Sequence, residues 1–147
     1  MSFELRLDRI ESRGAILDLV AAYCHGADGR DEQLFCSVWH DDAVWQAAPH
    51  RFVGLDEIVA AVARQWDAFT SMHHSTSNSV VQFVSDDEAS GRHDVLTLTV
   101  FHDGRTLLST GQYLDRYTRR NGRWAFAERS ASVTTTVELT GANAEAP

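Results

Sequence analysis

A chain of 147 residues, with 44% hydrophobic and 23% charged side chains, is long enough to bury a core of its own. Its formal net charge of −8, with no stretch that concentrates basic residues, argues against a nucleic acid or an anionic membrane as partner. Only Cys24 and Cys36 are present, both on apolar helical patterns, so a disulfide framework is not expected and a reducing cytoplasm is the plain reading.

The opening "MSFELRLDRIE" is charged throughout and does not read as an export leader. No apolar run approaches the ~20 residues of a membrane span. Residues 8–25 read as an amphipathic helix, with Ile10, Leu17, Val20, Ala21 and Cys24 as the stripe and Ile16, Leu19 and Tyr23 widening it. Gly26 and Gly29 punctuate its end. A shorter helix over 31–39 turns Leu34, Phe35, Val38 and Trp39 inward. A short strand over 41–48 follows, then a turn or hairpin edge at "HRFVG". A third helix over 55–69 presents Leu55, Ile58, Val59, Val62, Trp66 and Phe69 on one face, and Asp56 and Glu57 suit the positive end of its dipole. Strands are predicted at 77–85, 93–102, 106–118 and 123–137, separated by "DDEASG", "HDGR" and "RRNGR". Long strands on short turns make an antiparallel meander that curls. Three helices ahead of it make a one-domain α+β fold over residues 1–140, with a pocket between the layers. The small polar tail 141–147 is expected to be disordered. "RYTRR" at 116–120 reads as a solvated turn.

Four residues stand out chemically. Asp28, between glycines after the first helix, is a turn residue or a carboxylate folded back beside Tyr23. Were the helix to continue, those two side chains would diverge by ~140°. His73 and His74 are neighbours in an extended segment, so only one of them faces a pocket easily. Arg129 alternates with Ala125, Ala127, Ala131 and Val133, away from Trp124, Phe126 and Glu128. It is either a ligand-facing cation or half of an ion pair across the sheet. His25, His40, His50, His93 and His102 are scattered, with no metal-ligand spacing.

The stretches "RGAILDLVAAYCHGADGRD", "FCSVWHDDAVW", "HHSTSN" with "QFVSDDEASGRHDVL", and "YLDRYTRRNGRWAFAER" together resemble the SnoaL-like branch of the nuclear transport factor 2-like superfamily over roughly residues 5–137. Within it, the chain looks like the branch with hexachlorocyclohexane dehydrochlorinase, scytalone dehydratase and bile acid 7α-dehydratase. The resemblance implies a cone-shaped curled antiparallel sheet against three N-terminal helices. It also implies a cofactor-independent, metal-free lyase acting on a small hydrophobic, cyclic substrate, and a homotrimer, with a dimer second. Residue by residue, it places an Asp–His general-base dyad at Asp28 and His74, and an electrostatic arginine at Arg129. Tyr23 stands where the dehydrochlorinases have a lysine and the 7α-dehydratase a tyrosine. A further pocket aspartate has only Thr97 or Thr99 near its place, and His102 is out of step with a second pocket histidine. Trp39, Trp45, Trp66, Phe69 and Phe101 are candidate apolar walls for the substrate, or core. Alternatives on this scaffold are a ketosteroid-isomerase-like isomerase, a polyketide cyclase, or a non-catalytic ligand-binding module.

Overall fold

The structure, a computed structural model, describes residues 1–140; the expectation for the tail 141–147 lies outside them. Helix α1 spans Phe3–Asp28, α2 Glu32–Ser37 and α3 Leu55–Ala68; strands are β1 Trp39–Ala47, β2 His50–Val53, β3 Phe69–Phe83, β4 Glu88–Phe101, β5 Thr106–Arg120 and β6 Arg123–Leu139. Among the described residues the fold is α+β, with three helices and a six-stranded sheet in the order β2-β1-β6-β5-β4-β3. Bulges at Ser77/Val80, Thr110/Gly111 and Arg116/Tyr117 bend the long strands and help the sheet curl.

Side-chain caps set two of the helix starts. Ser2 accepts from the Leu5 amide and Asp31 from the Leu34 amide. At α3, Glu57 reaches back to accept from the Val53 amide. The helix α1 does not stop at Gly26. It runs on to Asp28, and Gly26 serves a close approach instead: a Cβ there would sit 2.7 Å from the Phe35 amide nitrogen of α2. The buried stripe of α1 is Ile16, Val20, Tyr23 and Ala27, spaced four, three and four, while Ile10 and Leu17 face solvent.

Three further expectations are corrected. The sheet is mixed, not purely antiparallel: β1 pairs in parallel with β6, Trp45 opposite Arg129, and begins at Trp39, a residue expected at a helix end. Strand β3 begins at Phe69, well before the expected 77, so His73 and His74 lie within it. Hydroxyl residues hid this stretch, because its inward positions face a cavity instead of an apolar core. Finally, Ala127 is the extra residue of the bulge in β6, since Arg116 faces Glu128 while Tyr117 faces Phe126. That slip in alternation brings Phe126 onto the same face as Arg129, whose guanidinium carbon lies 4.3 Å from the Phe126 ring centre. Trp124 and Phe126 are both buried within the chain.

Candidate active site

Tyr23 is the hub from which the site is built. It is buried on the inner face of α1, and its ring lies 5.4 to 6.3 Å from Phe35, Trp39, Trp45, Tyr113 and Phe126, mostly edge to face. Each such pair adds ~0.5–1.5 kcal/mol beyond its buried area. Beyond this aromatic floor opens a cavity of about 200 Å³, reached by Tyr23, Trp45, Phe69, Met72, His74 and Tyr113. The inner faces of β4 and β5 add hydroxyls from Thr97, Thr99 and Ser109. Gly111 belongs to the same wall, and a Cβ there would collide with the Ser132 carbonyl. A wider depression of about 590 Å³ lies on the outer sheet face around Val80, Arg92, Leu114 and Glu128; it is open and has no aromatic wall.

His74 stands at the cavity wall. Its Nδ1 lies 2.5 Å from Asp28 Oδ1, and its backbone amide donates to Asp28 Oδ2 at 2.8 Å. The carboxylate thus grips both the ring and the backbone of one residue. Because a carboxylate only accepts, Nδ1 is the protonated nitrogen of neutral His74. Its Nε2 has no protein partner among the described residues and keeps a lone pair. The His74 ring lies 6.2 Å from that of Tyr23. His73 points the other way, as strand alternation requires: its side chain is 71% exposed against 12% for His74, and its Nδ1 is 3.9 Å from Asp28.

Since α1 stays helical through Asp28, Tyr23 and Asp28 do diverge. Tyr23 lines the main cavity. Asp28 lines a small side pocket of about 60 Å³ with Arg30, Trp66 and Phe69, and approaches His74 from behind. The Trp66 indole donates to the Ala27 carbonyl at 2.7 Å and ties α3 to this end of α1.

Arg129 does not line the cavity. It is wholly buried behind the rings of Tyr23 and Tyr113, its guanidinium carbon 4.3 and 4.0 Å from their centres. It donates Nε–H to Asp115 Oδ1 at 2.8 Å and Nη2–H to Oδ2 at 2.7 Å, while Nη1 has no hydrogen-bond partner among the described residues. The ion pair across the sheet is therefore the arrangement found. Burial works to lower Arg129, but the Asp115 carboxylate outweighs it and the net shift is upward. Trp45 and Phe69 line the cavity, whereas Trp39, Trp66 and Phe101 do not; Trp39 packs on Phe126, and Phe101 on Phe69. Burial pushes Tyr23 up to about 12, and Tyr113 well above its ordinary range, so both hydroxyls stay protonated at neutral pH.

Asp115 also anchors a buried polar chain whose proton order can be read off. Tyr117 Oη donates to Asp115 at 2.7 Å. The Tyr117 oxygen is then left as acceptor for His93 Nε2–H at 2.9 Å, and His93 Nδ1 accepts from the Ser79 hydroxyl at 2.8 Å. Neither His93 nor His102 lines the cavity; His102 bonds the Asp67 carbonyl and Thr70. Burial lowers His93 below its ordinary value near 6.5, against the pull of Asp115. Below pH 6.5 the unfolded chain then binds a proton that the folded chain refuses. Stability should be full above that pH and fall as the pH drops toward the depressed folded value. Thermal melts of the parent should show this decline, and His93→Gln should flatten it. His40, shifted the same way by burial, should leave part of the slope.

Among the described residues, no group of three or more His, Cys, Asp or Glu side chains converges as a metal site, and no helix is long and apolar enough to cross a membrane. Cys24 and Cys36 are free.

Helices over a curled sheet, with a cavity between the layers, define an α+β roll. The same fold occurs in a protein of unknown function with a cystatin-like fold from Nostoc punctiforme: TM-score 0.72 at 19% identity, covering 83% of this chain and 90% of that one. The chain belongs to the SnoaL-like domain family, whose pattern matches residues 8–130. It is 33% identical over 138 residues to a gamma-hexachlorocyclohexane dehydrochlorinase of Sphingobium indicum, covering 92% of this chain and 88% of that protein. Its structure is also similar to the crystal structure of hexachlorocyclohexane dehydrochlorinase LinA-type3 from Novosphingobium barchaimii LL02. There the TM-score is 0.88 at 31% identity, over 92% of this chain and 95% of that one.

Proposed function

We propose that residues 1–140 form one catalytic unit, a cofactor-independent lyase that eliminates water or hydrogen halide from a small, single-ring substrate. The observation that carries this reading is the Asp28–His74 pair at the cavity wall, with Nδ1 held and Nε2 free. Asp28 fixes the tautomer and stabilises the imidazolium that forms when Nε2 takes a carbon-bound proton. The C–H electron pair becomes the new double bond, and the leaving group departs with its own electron pair. Tyr23 donates a hydrogen bond to the substrate from the cavity floor. Arg129 acts through the aromatic rings it backs, since it has no face on the cavity.

A cavity of about 200 Å³ is smaller than the pockets of ~300–1,000 Å³ that hold drug-sized ligands, which supports a single ring over a fused polycycle. Isomerases of this fold rely mainly on a carboxylate base. Here both Asp28 oxygens are occupied by His74, and Asp28 does not line the main cavity. That favours elimination over isomerisation or cyclisation. The named relatives are dehydrochlorinases, which supports the same class.

The full chain, dialysed against a chelator, should release chloride from γ-hexachlorocyclohexane or convert 3-hydroxycyclohexanone to the enone. Inertness toward both would count against the reading. We also propose a homotrimer, with a dimer second. Exposed Leu96, Leu114 and Val137 on the outer sheet face support a partner surface. Light scattering should give an oligomer mass at micromolar concentration, and a monomer mass would reject both.

A further inference from the structure

Helix α1 is apolar on two opposite faces. Ile16, Val20, Tyr23 and Ala27 pack into the fold. Phe3, Leu7, Ile10 and Leu17 lie on the other side and are 76%, 44%, 69% and 36% exposed. A helix on the surface of one domain needs only the first of these stripes. The second keeps strict spacing: Phe3, Leu7, Ile10, Gly14, Leu17 and Ala21 follow one another at four, three, four, three and four. That is the a and d seam of a two-helix coiled coil, with residues 3, 10 and 17 at d and 7, 14 and 21 at a. It runs ~27 Å along the helix. Gly14 and Ala21 are exposed as well, and a Cβ at position 14 would meet nothing within 4 Å. The middle of the seam is therefore open to a neighbouring backbone.

Charges flank the seam in a fixed order. The position after each d residue is acidic: Glu4, Glu11 and Asp18. The position before the first two a residues is basic: Arg6 and Arg13. The ion pairs that α1 makes within the chain, Arg9 with Asp86 and Asp8 with Arg119, leave all five of these free. Arg13 spends one Nη on the Val81 carbonyl at 3.2 Å and stays exposed. In a parallel pair of such helices, the residue before a meets the residue after d that stands five positions on in the other helix. Arg6 of each copy then meets Glu11 of the other, and Arg13 meets Asp18. An antiparallel pair would set acid against acid and arginine against arginine.

We propose that the outer stripe of α1 is an interface for a second copy of this chain, the two α1 helices lying parallel and side by side about a two-fold axis. The stripe is on the helical layer, whereas Leu96, Leu114 and Val137 are on the outer sheet face. The proposal thus goes beyond the trimer surface and does not depend on the lyase reading. Because α1 is already folded and held against the sheet, pairing costs no helix ordering. The unbroken acidic row disfavours an anionic membrane, another common cover for a stripe of this kind.

Disulfide trapping of the full chain in a glutathione redox buffer tests the proposal. Phe3→Cys and Leu17→Cys should each form a covalent dimer with themselves at micromolar concentration, since like meets like across a parallel seam. Ala60→Cys, an exposed site on α3, and the parent with its two natural cysteines give the background. Glu11→Arg added to Leu17→Cys turns two symmetry-related attractions into repulsions and should weaken pairing ~10-fold. Adding Arg6→Glu to that variant should restore it. All these positions are exposed, so folding is not at stake. Dimer no higher than the Ala60→Cys background would overturn the proposal, and sedimentation of such a chain with phosphatidylcholine vesicles would give the stripe to a lipid surface instead. A disulfide formed only in a mixture of Phe3→Cys with Leu17→Cys would overturn the parallel arrangement. Equal trapping with and without Glu11→Arg would overturn the role of the charges.

Discussion

His74→Ala and Asp28→Asn are each expected to lose turnover by ~10²–10⁴-fold, the usual cost of removing general-base function. The geometry gives the two losses different causes. Alanine at 74 removes the nitrogen proposed to take the proton. Asparagine at 28 keeps the shape but offers an amide where both the His74 ring and its backbone amide found a carboxylate. The ring then loses the partner that holds its proton on Nδ1, and the imidazolium formed in the reaction loses its counter-charge. Steady-state rates on whichever probe the parent converts check both. His73→Ala should stay within a few-fold of the parent, because that side chain points to solvent.

Asp115→Ala is expected to destabilise the fold by about 3–5 kcal/mol, because it strands the Arg129 charge where no water reaches it. In a chain of this size that is on the order of a 10 °C fall in Tm. The cation–π contacts do not replace the carboxylate, since they were already present. Tyr117 would lose its acceptor at the same time, leaving the polar chain through His93 without an anchor. Asp115→Ala combined with Arg129→Met should recover part of the loss, because no unpaired charge remains. Denaturant melts of the two single variants and the double variant measure this coupling. Equal stability of Asp115→Ala and the parent would mean that the pair is not buried as described.

The sequence carried the helices and the β-rich second half, because period 3.6 and period 2 are local signals. The pairing of Asp28 with His74 came from the family resemblance of their stretches, not from any local pattern or spacing in the chain. What stayed hidden was non-local. Trp39, Trp66 and Phe101 look like cavity walls as readily as Trp45 and Phe69 do, since hydrophobicity does not separate a packed core from a lined cavity. The partner of Arg129 lies in another strand, within "YLDRYTRR", where Asp115 reads as a surface charge among arginines. Alternation of Tyr113, Asp115 and Tyr117 on one face of β5 was the available clue. The bulge at Ala127 hid the shared face of Phe126 and Arg129, because an extra residue leaves no compositional mark. The parallel β1–β6 pair joins residues as far apart in the sequence as Trp45 and Arg129, and no short-range pattern announces it.

As proposed, the free Nε2 of His74 is the base. That role is tested most directly by turnover of His74→Ala with and without added imidazole. His74→Ala should be slow, with a rate that rises saturably with imidazole, while Asp28→Asn should not be rescued. A His74→Ala variant as fast as the parent would contradict it.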